Sequence, residues 1–418
     1  MRSKLKSLKY KIKLHFYLLI GNYNKAFKFL LKLLRMDLLP FEKHLSYEKL
    51  NEKIIDKMLA HKKFTTQKID IKGYETRILF LNTELYDTGG HTELLLRYLD
   101  VFSKDYLIYV YNTSTFKQEE QALKKSILLK RKAHNYYLSK CEGFVDKLRE
   151  CYEYILEHKI STVNVNIHPD DLVGAGVLYL LKKHTNINII FFNHASHYFC
   201  LGTIYANKII SGIKDGLAIS PYLRGYDNLI SLPFLMGGEK LSLKEELNIP
   251  ENAIISLTGC ASSKLKEEYF SLIKRLLQKE ENLYHIWVGG ASDMNLGFKD
   301  ERFIRVDFSS NFNDYIALCD FYIDSFPQGS ALTLVDCIRR SKPVIIKINE
   351  EEKFRSFEEY LYEDYELACK SSEAMYNCAL RLINDKDFYK AMQERVLRHY
   401  ERVYSINTVK PLYEDLIV

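Results

Sequence analysis

At 418 residues and 47% apolar composition, the chain exceeds what one hydrophobic core ordinarily supports, which predicts two domains and excludes a disordered chain. A net charge of only +6, with no concentrated basic face beside a motif, argues against nucleic acid as a partner. Eight cysteines without a CxxC pair, mostly inside apolar runs, predict buried thiols in a reducing compartment.

Residues 1 to about 65 read as a basic helical extension. Arg2, Lys4, Lys6, Lys9, Lys11, Lys13, Lys25, Lys28, Lys32 and Arg35 all precede the first acid, Asp37. Leu18, Leu19, Phe27, Leu30, Leu31 and Leu34 recur near helical spacing. That pattern suits peripheral contact with an anionic membrane through residues 1–36, equally a solvated extension packed on its own domain, or a helix that binds a partner. The longest apolar run here, Phe16 to Ile20, is too short for an export signal or a membrane span. A cytoplasmic protein is expected, with the inner face of the cytoplasmic membrane as its boundary case.

From Arg77 short apolar runs alternate with amphipathic segments, as strand and crossover helix do in a parallel α/β sheet. Strands are predicted over Ile78–Asn82, Tyr106–Tyr111, Val163–Ile167, Ile187–Phe192 and Gly216–Ile219, and helices over Thr92–Phe102, Glu142–His158 and Leu172–His184. This is one doubly wound domain, residues 66–235. Three of its strand ends carry histidine. Leu81-Asn-Thr-Glu-Leu-Tyr-Asp-Thr-Gly-Gly-His-Thr-Glu93 puts Gly89, Gly90 and His91 at a helix start. Asn166-Ile-His-Pro-Asp-Asp171 places His168 where a satisfied structural histidine is the ordinary reading, with Asp170 and Asp171 as helix caps. Phe192-Asn-His-Ala-Ser-His-Tyr-Phe199 is the denser cluster, and His194 and His197 there follow a buried strand. No cysteine or carboxylate stands at ligand spacing beside them, so zinc is not expected.

A polar stretch, Leu232–Asn252, holds Pro233, Gly237, Gly238 and Pro250 and reads as an interdomain linker. The alternation then restarts as a second doubly wound domain, residues 236–418. Its predicted strands are Ala253–Thr258, Tyr284–Val288, Phe303–Phe308, Phe321–Asp324 and Pro343–Ile348; its helices are Lys266–Lys279, Asn313–Leu318, Leu332–Arg340 and two more within Ser372–Tyr404. Leu257-Thr-Gly-Cys-Ala-Ser-Ser-Lys-Leu265 is a strand that ends in a small-residue loop with Gly259 and Ser263, and Lys264 in it is suited to neutralise a leaving diphosphate. Trp287-Val-Gly-Gly-Ala291 adds Gly289 on the same sheet edge. Asp324-Ser-Phe-Pro-Gln-Gly-Ser-Ala-Leu-Thr-Leu-Val-Asp336 follows a strand and opens a helix. Gly329 lets backbone approach an anion, Ser330 and Thr333 offer hydroxyls, and Asp336 is placed to accept from ribose hydroxyls. An ordinary capped helix with a surface aspartate explains that segment about as well. Asp385-Lys-Asp387 has metal-binding spacing but lies between helices, where a cap is the better reading.

The order of these parts resembles the GT-B glycosyltransferases: two Rossmann-like doubly wound α/β domains facing a cleft, here with the basic helical extension in front. Ser325-Phe-Pro-Gln-Gly through Val335-Asp336 is similar, in the spacing of glycine and aspartate, to the donor-site motif of the O-GlcNAc transferase family, especially its bacterial adhesin-glucosylating branch. The resemblance spans about Ile254 to Ile348, is looser before that, and does not include residues 1–65. It implies a UDP-sugar donor, inversion, and no obligatory metal or cofactor. It also implies that Asp336 holds the ribose, that Lys264 and the small residues before Asp336 hold the diphosphate, that Gly89 and Gly90 approach the donor, and that His91 or the His194 and His197 loop takes the acceptor's proton. Retaining GT-B enzymes place glutamates where this chain has Gln328 and Asp336, which argues against retention. The acceptor expected on this basis is a hydroxyl or amide on a cell-surface glycan or a protein. A sugar-nucleotide epimerase and an inactive scaffold that binds a sugar nucleotide or a partner enzyme are the competing readings.

Overall fold

The computed structural model of the chain describes residues 2–36, 44–61, 66, 68–71, 73, 75–86, 90–116, 124–193, 200–211, 229–231, 247, 249–250, 252–289, 297–307, 312–330, 332–348 and 365–417. The chain forms two compact units. The first comprises Met1–Gly212, Gly216–Ser231 and Tyr413–Val418; the second comprises Ile213–Asp215 and Leu232–Leu412. The strand expected over Gly216–Ile219 and most of the expected linker lie outside the described residues.

Seven parallel strands build the first unit: β1 (Arg77–Asn82), β2 (Leu107–Asn112), β3 (Asn135–Leu138), β4 (Thr162–Asn166), β5 (Asn188–Phe192), β6 (Lys208–Ser211) and β7 (Leu229–Ser231). Their order is β3-β2-β1-β4-β5-β6-β7. Strands covered on both faces read as continuous apolar runs, and β1 and β4 are buried along nearly their whole length. The crossover helices bury one stripe each. In Phe144–Glu157 the stripe is Val145, Leu148, Cys151, Tyr152 and Ile155. Leu172–His184 is buried almost all round and ends in Lys182, Lys183 and His184, whose charges suit the negative end of the helix dipole.

Three helices precede the sheet: α1 (Arg2–Leu19), α2 (Tyr23–Met36) and α3 (His44–Ala60). Leu14, Leu18, Phe27, Leu30, Leu33, Leu34, Ile54 and Ile55 join one core with Leu79 and Leu81 of β1 and Val163 and Val165 of β4. The apolar face of α2 is thus core, which explains its regular spacing. Asn24 fastens α2 to the next layer: its Oδ1 accepts from the Val145 amide at 2.9 Å, and a Cβ on Gly143 would stand only 2.7 Å from its Nδ2.

The second unit repeats the plan with β8 (Ile254–Gly259), β9 (Leu283–Val288), β10 (Phe303–Val306), β11 (Phe321–Ile323), β12 (Val344–Lys347) and β13 (Ala368–Cys369), in the order β10-β9-β8-β11-β12-β13. Glu267–Lys279 buries Tyr269, Phe270, Leu272, Ile273, Leu276 and Leu277. Ser371 caps Ser372–Asn384, and Asp385 caps Lys386–Val403 by accepting the Phe388 amide at 2.9 Å. The Asp385-Lys-Asp387 segment is therefore a cap. A further helix, Ile406–Ile417, was not expected; from Tyr413 onward it belongs to the first unit, where the Tyr98 hydroxyl donates to that of Tyr413. Short strands β3, β6, β7 and β13 were also missed.

Candidate functional site

In each sheet the strand order reverses at one place, between β1 and β4 in the first unit and between β8 and β11 in the second. The loops that leave the carboxyl ends of such a strand pair run in opposite directions and open a crevice, the usual ligand position in doubly wound folds. Four of the conspicuous loops of the sequence, those after β1, β4, β8 and β11, fall at these two points, and those after β5 and β9 follow the adjacent strands.

At the second unit's reversal, Lys264 ends a tight turn, Ser262–Lys264, and its Nζ donates to the Gly329 carbonyl at 3.0 Å. The loop after β8 is thereby tied to the loop after β11. Ser330 donates its amide to Asp324 Oδ1 at 2.9 Å and its hydroxyl to the same oxygen. The Tyr322 hydroxyl lies 3.1 Å from Ser330 Oγ and accepts the Gly259 amide at 3.1 Å. Lys264, Gly259, Gly329 and Ser330 are thus brought into one bonded group, together with Tyr322 and Asp324, which the sequence had not singled out. A Cβ at position 259 would meet Phe312 Cζ at 2.2 Å, so any side chain there would have to displace that ring.

This arrangement corrects one expected role. The Ser330 hydroxyl and amide are engaged inward by Asp324, so Ser330 shapes the turn and its proton is not presented to an anion. Burial pushes the Asp324 carboxyl up to about 7, against the opposing pull of the two Ser330 bonds and nearby Lys264. Asp336 is buried in the helix Leu332–Arg339, which removes the surface-aspartate reading, and Thr333 is half-buried one turn earlier. Ser263 is exposed beside Lys264. Gly289 follows β9 at φ +98°, a left-handed conformation that favours glycine, and its amide donates to the Val306 carbonyl. It sits one strand away from the Lys264 group.

At the first unit's reversal, Gly90 opens the helix Gly90–Phe102, while Gly89, His194 and His197 lie outside the described residues. His91 Nε2 sits 2.8 Å from the Asn166 carbonyl, and burial lowers its pKa to about 4 despite that bond. The histidine expected to titrate near working pH is therefore a neutral, weakly basic group held against the end of β4.

His168 shows the opposite behaviour. Its side chain is 48% exposed, and its Nδ1 pairs with the buried carboxylate of Asp170. Arg35 of α2 donates Nε to the other Asp170 oxygen at 2.6 Å and lays its guanidinium over the Phe116 ring, 4.6 Å from the centroid. The Phe116 ring in turn meets His168 edge-on at 5.2 Å. Burial pushes the Asp170 carboxyl up, but the bonds and charges of His168 and Arg35 outweigh it and hold the group below the ordinary aspartate range. With Nδ1 turned to the carboxylate, Nε2 is the ring nitrogen on the side away from it. His168 is satisfied by Asp170, as expected of a structural histidine, whereas Asp170 bonds His168 and Arg35 instead of a helix amide, so the cap belongs to Asp171. The only sequence signal was the two-residue spacing of His168 and Asp170; Arg35, 135 positions away, had none.

Asp171 is the cap, as expected, and more. Its Oδ1 accepts the amides of Val173 and Gly174, both at 3.0 Å, and Thr115 Oγ1 at 2.8 Å, while Oδ2 accepts Thr83 and Thr113 Oγ1 at 2.6 and 2.7 Å. Thr83 Oγ1 also receives the His168 amide at 2.8 Å. One buried carboxylate therefore locks three strand-end loops that carry the imidazole.

Two Rossmann-like units, each a parallel sheet with the order reversal just described, define the GT-B fold. No family model matches the chain, and no curated protein matches it. Among solved structures it is similar to an O-GlcNAc transferase of Thermobaculum terrenum, with a TM-score of 0.55 at 12% identity over 96% of this chain and 82% of that one. It is also similar to a glycosyltransferase of Rickettsia africae, with a TM-score of 0.61 at 13% identity over 82% and 98%. The lipopolysaccharide outer core galactosyltransferase WaaB matches with a TM-score of 0.57 at 13% identity over 82% and 99%. The 96% span of the first match reaches into residues 1–65, which the resemblance read from sequence had left out. At these identities the likeness is one of fold.

Proposed function

We propose that the chain is a glycosyltransferase that moves a hexose or N-acetylhexosamine from a UDP-sugar to a hydroxyl or amide on a cell-surface glycan or protein, with inversion and without a metal. One observation carries the reading: the Lys264 ammonium is pinned to the Gly329 carbonyl at the order reversal of the second sheet. An ammonium has three donors, and among the described residues Gly329 takes one of them, which leaves two for phosphate oxygens. The helix start at Leu332 adds the positive end of a dipole to the same place. A cation held in advance by the protein stabilises charge as it develops on a departing diphosphate and needs no rearrangement to do so.

The proton acceptor in this reading is the imidazole of His168. His168 Nε2, oriented through Asp170, takes the role that the sequence offered to His91 or His194. It removes the acceptor proton, the freed oxygen or nitrogen bonds the anomeric carbon, and the bond from that carbon to the diphosphate breaks with its electron pair leaving on UDP. A single displacement of this kind inverts the anomeric centre. The printed names of the similar structures, an O-GlcNAc transferase and a galactosyltransferase among them, support the reaction class.

Thermal stabilisation by a panel of nucleotide sugars tests the donor, because a ligand that binds only the folded state raises the melting temperature. A UDP-sugar is expected to raise it, and Lys264→Ala to abolish most of the rise and to lower transfer by about 100-fold or more. Unchanged stabilisation and transfer in Lys264→Ala would remove the donor seat from this position. An inactive scaffold would give stabilisation with neither transfer nor donor hydrolysis.

A further inference from the structure

Helix α1 is apolar on two opposite sides. Leu14 and Leu18 are buried, Tyr10 and Tyr17 are half-buried beside them, and the Tyr17 ring stacks on Phe29 of α2 with centroids 5.6 Å apart. That side belongs to the core of the first unit. Leu5, Leu8, Ile12, Phe16 and Leu19 recur at steps of three and four residues and, at 3.6 residues per turn, fall within about 80° of arc on the far side. All five are between 54% and 77% exposed. The stripe runs roughly 20 Å along the helix.

The charges around it have one sign. Lys9 and Lys13 border the stripe on one flank, Lys11 and His15 on the other, and no Asp or Glu occurs before Asp37. Lys6, Lys9 and Lys13 line a shallow apolar depression with Leu5, Leu8 and Ile12. The core needs only the opposite side of α1, so packing does not account for a second apolar stripe, and contiguous exposed apolar surface of this kind marks an interaction site.

We infer that the outer side of α1 is an in-plane anchor that docks on an anionic lipid surface, with the five apolar side chains at the acyl boundary and the lysines among the headgroup phosphates. Charge complementarity selects this occupant: a second copy of the stripe would set lysine against lysine, whereas an anionic bilayer offers apolar depth and negative charge together. The surface is narrower than residues 1–36, because Phe27, Leu30, Leu33 and Leu34 of α2 are buried in the protein. Among the described residues no helix is long and apolar enough to cross a membrane, so the anchor lies along the surface. The inference does not depend on the donor chemistry proposed above.

The test uses the full chain with vesicles of phosphatidylcholine, alone or with roughly a third phosphatidylglycerol. Co-sedimentation is expected with the anionic vesicles and at least about tenfold less with the neutral ones. Leu8→Ser with Ile12→Ser should cut binding about tenfold or more at unchanged melting temperature. Lys9→Gln with Lys13→Gln should cut it on anionic vesicles alone, as added salt does. Failure to bind anionic vesicles, or equal binding by the Leu8→Ser and Ile12→Ser variant, overturns the inference. A lipid-free dimer by light scattering that the same variant dissolves also overturns it and makes the stripe a self-interface.

Discussion

The two order reversals share a strand plan and differ in what they do with a buried acid. At the first, Asp170 is held charged by Arg35 and His168, and Asp171 is saturated by five donors. At the second, Asp324 has Ser330 and a lysine in its vicinity, and burial pushes its carboxyl up to about 7. The first edge presents a half-exposed imidazole backed by negative charge, and the second presents an ammonium backed by a carbonyl. Topology places both crevices; side chains from distant segments decide that one carries an imidazole and the other an ammonium.

The largest expected effect separates these roles. His168→Ala should lower turnover by about 10²- to 10⁴-fold while leaving stabilisation by a UDP-sugar intact, in contrast to Lys264→Ala, which should lose both. Loss of donor stabilisation in His168→Ala would erase the distinction between the edges. A smaller effect concerns the lock beneath the imidazole. Asp171→Ala leaves buried hydroxyls and amides without their acceptor and should cost roughly 3 kcal/mol, read as a lower midpoint in urea unfolding; an unchanged midpoint would mean that water replaces the carboxylate.

The smallest effect sharpens the contrast between the acids. The folded pKa of Asp324 is raised from 3.8 to about 7 by burial, so the folded state binds the proton more tightly than the unfolded chain. Its contribution to stability is fully present below pH 3.8 and is lost as pH rises to about 7, with a slope of at most about 1.4 kcal/mol per unit. Asp324→Asn keeps an acceptor for Ser330 and should flatten the melting temperature across that window. An identical pH profile in the variant would show that the carboxyl stays ionised.

Much of the frame was legible in the chain. β1, β4 and β8 appear as apolar runs, and Phe144–Glu157 and Glu267–Lys279 as amphipathic stripes, because burial in a layered fold imposes a local period. The small-residue loop before Lys264 and the turn before Leu332 were recognisable from their glycine, proline and small-residue content. Asp170 was misread as a second cap, since a carboxylate just before a helix has the same local pattern whether or not it bonds the helix amides. Nothing in the hydroxyl of Ser330 distinguishes an inward bond from an outward one.

What the sequence determined by itself was therefore the kind and order of elements, the strand-end position of the glycines, lysine and histidines, and the one-signed charge of the first 36 residues. Tertiary structure alone decided that Arg35 completes Asp170 across 135 positions, that Lys264 meets Gly329 across 65, that His91 is held against the Asn166 carbonyl while His168 is half exposed, and which side of α1 is left for solvent. The reason is physical: periodicity records whether a side chain is buried, whereas its partner, and hence its charge state, comes from whichever remote strand end the sheet sets beside it.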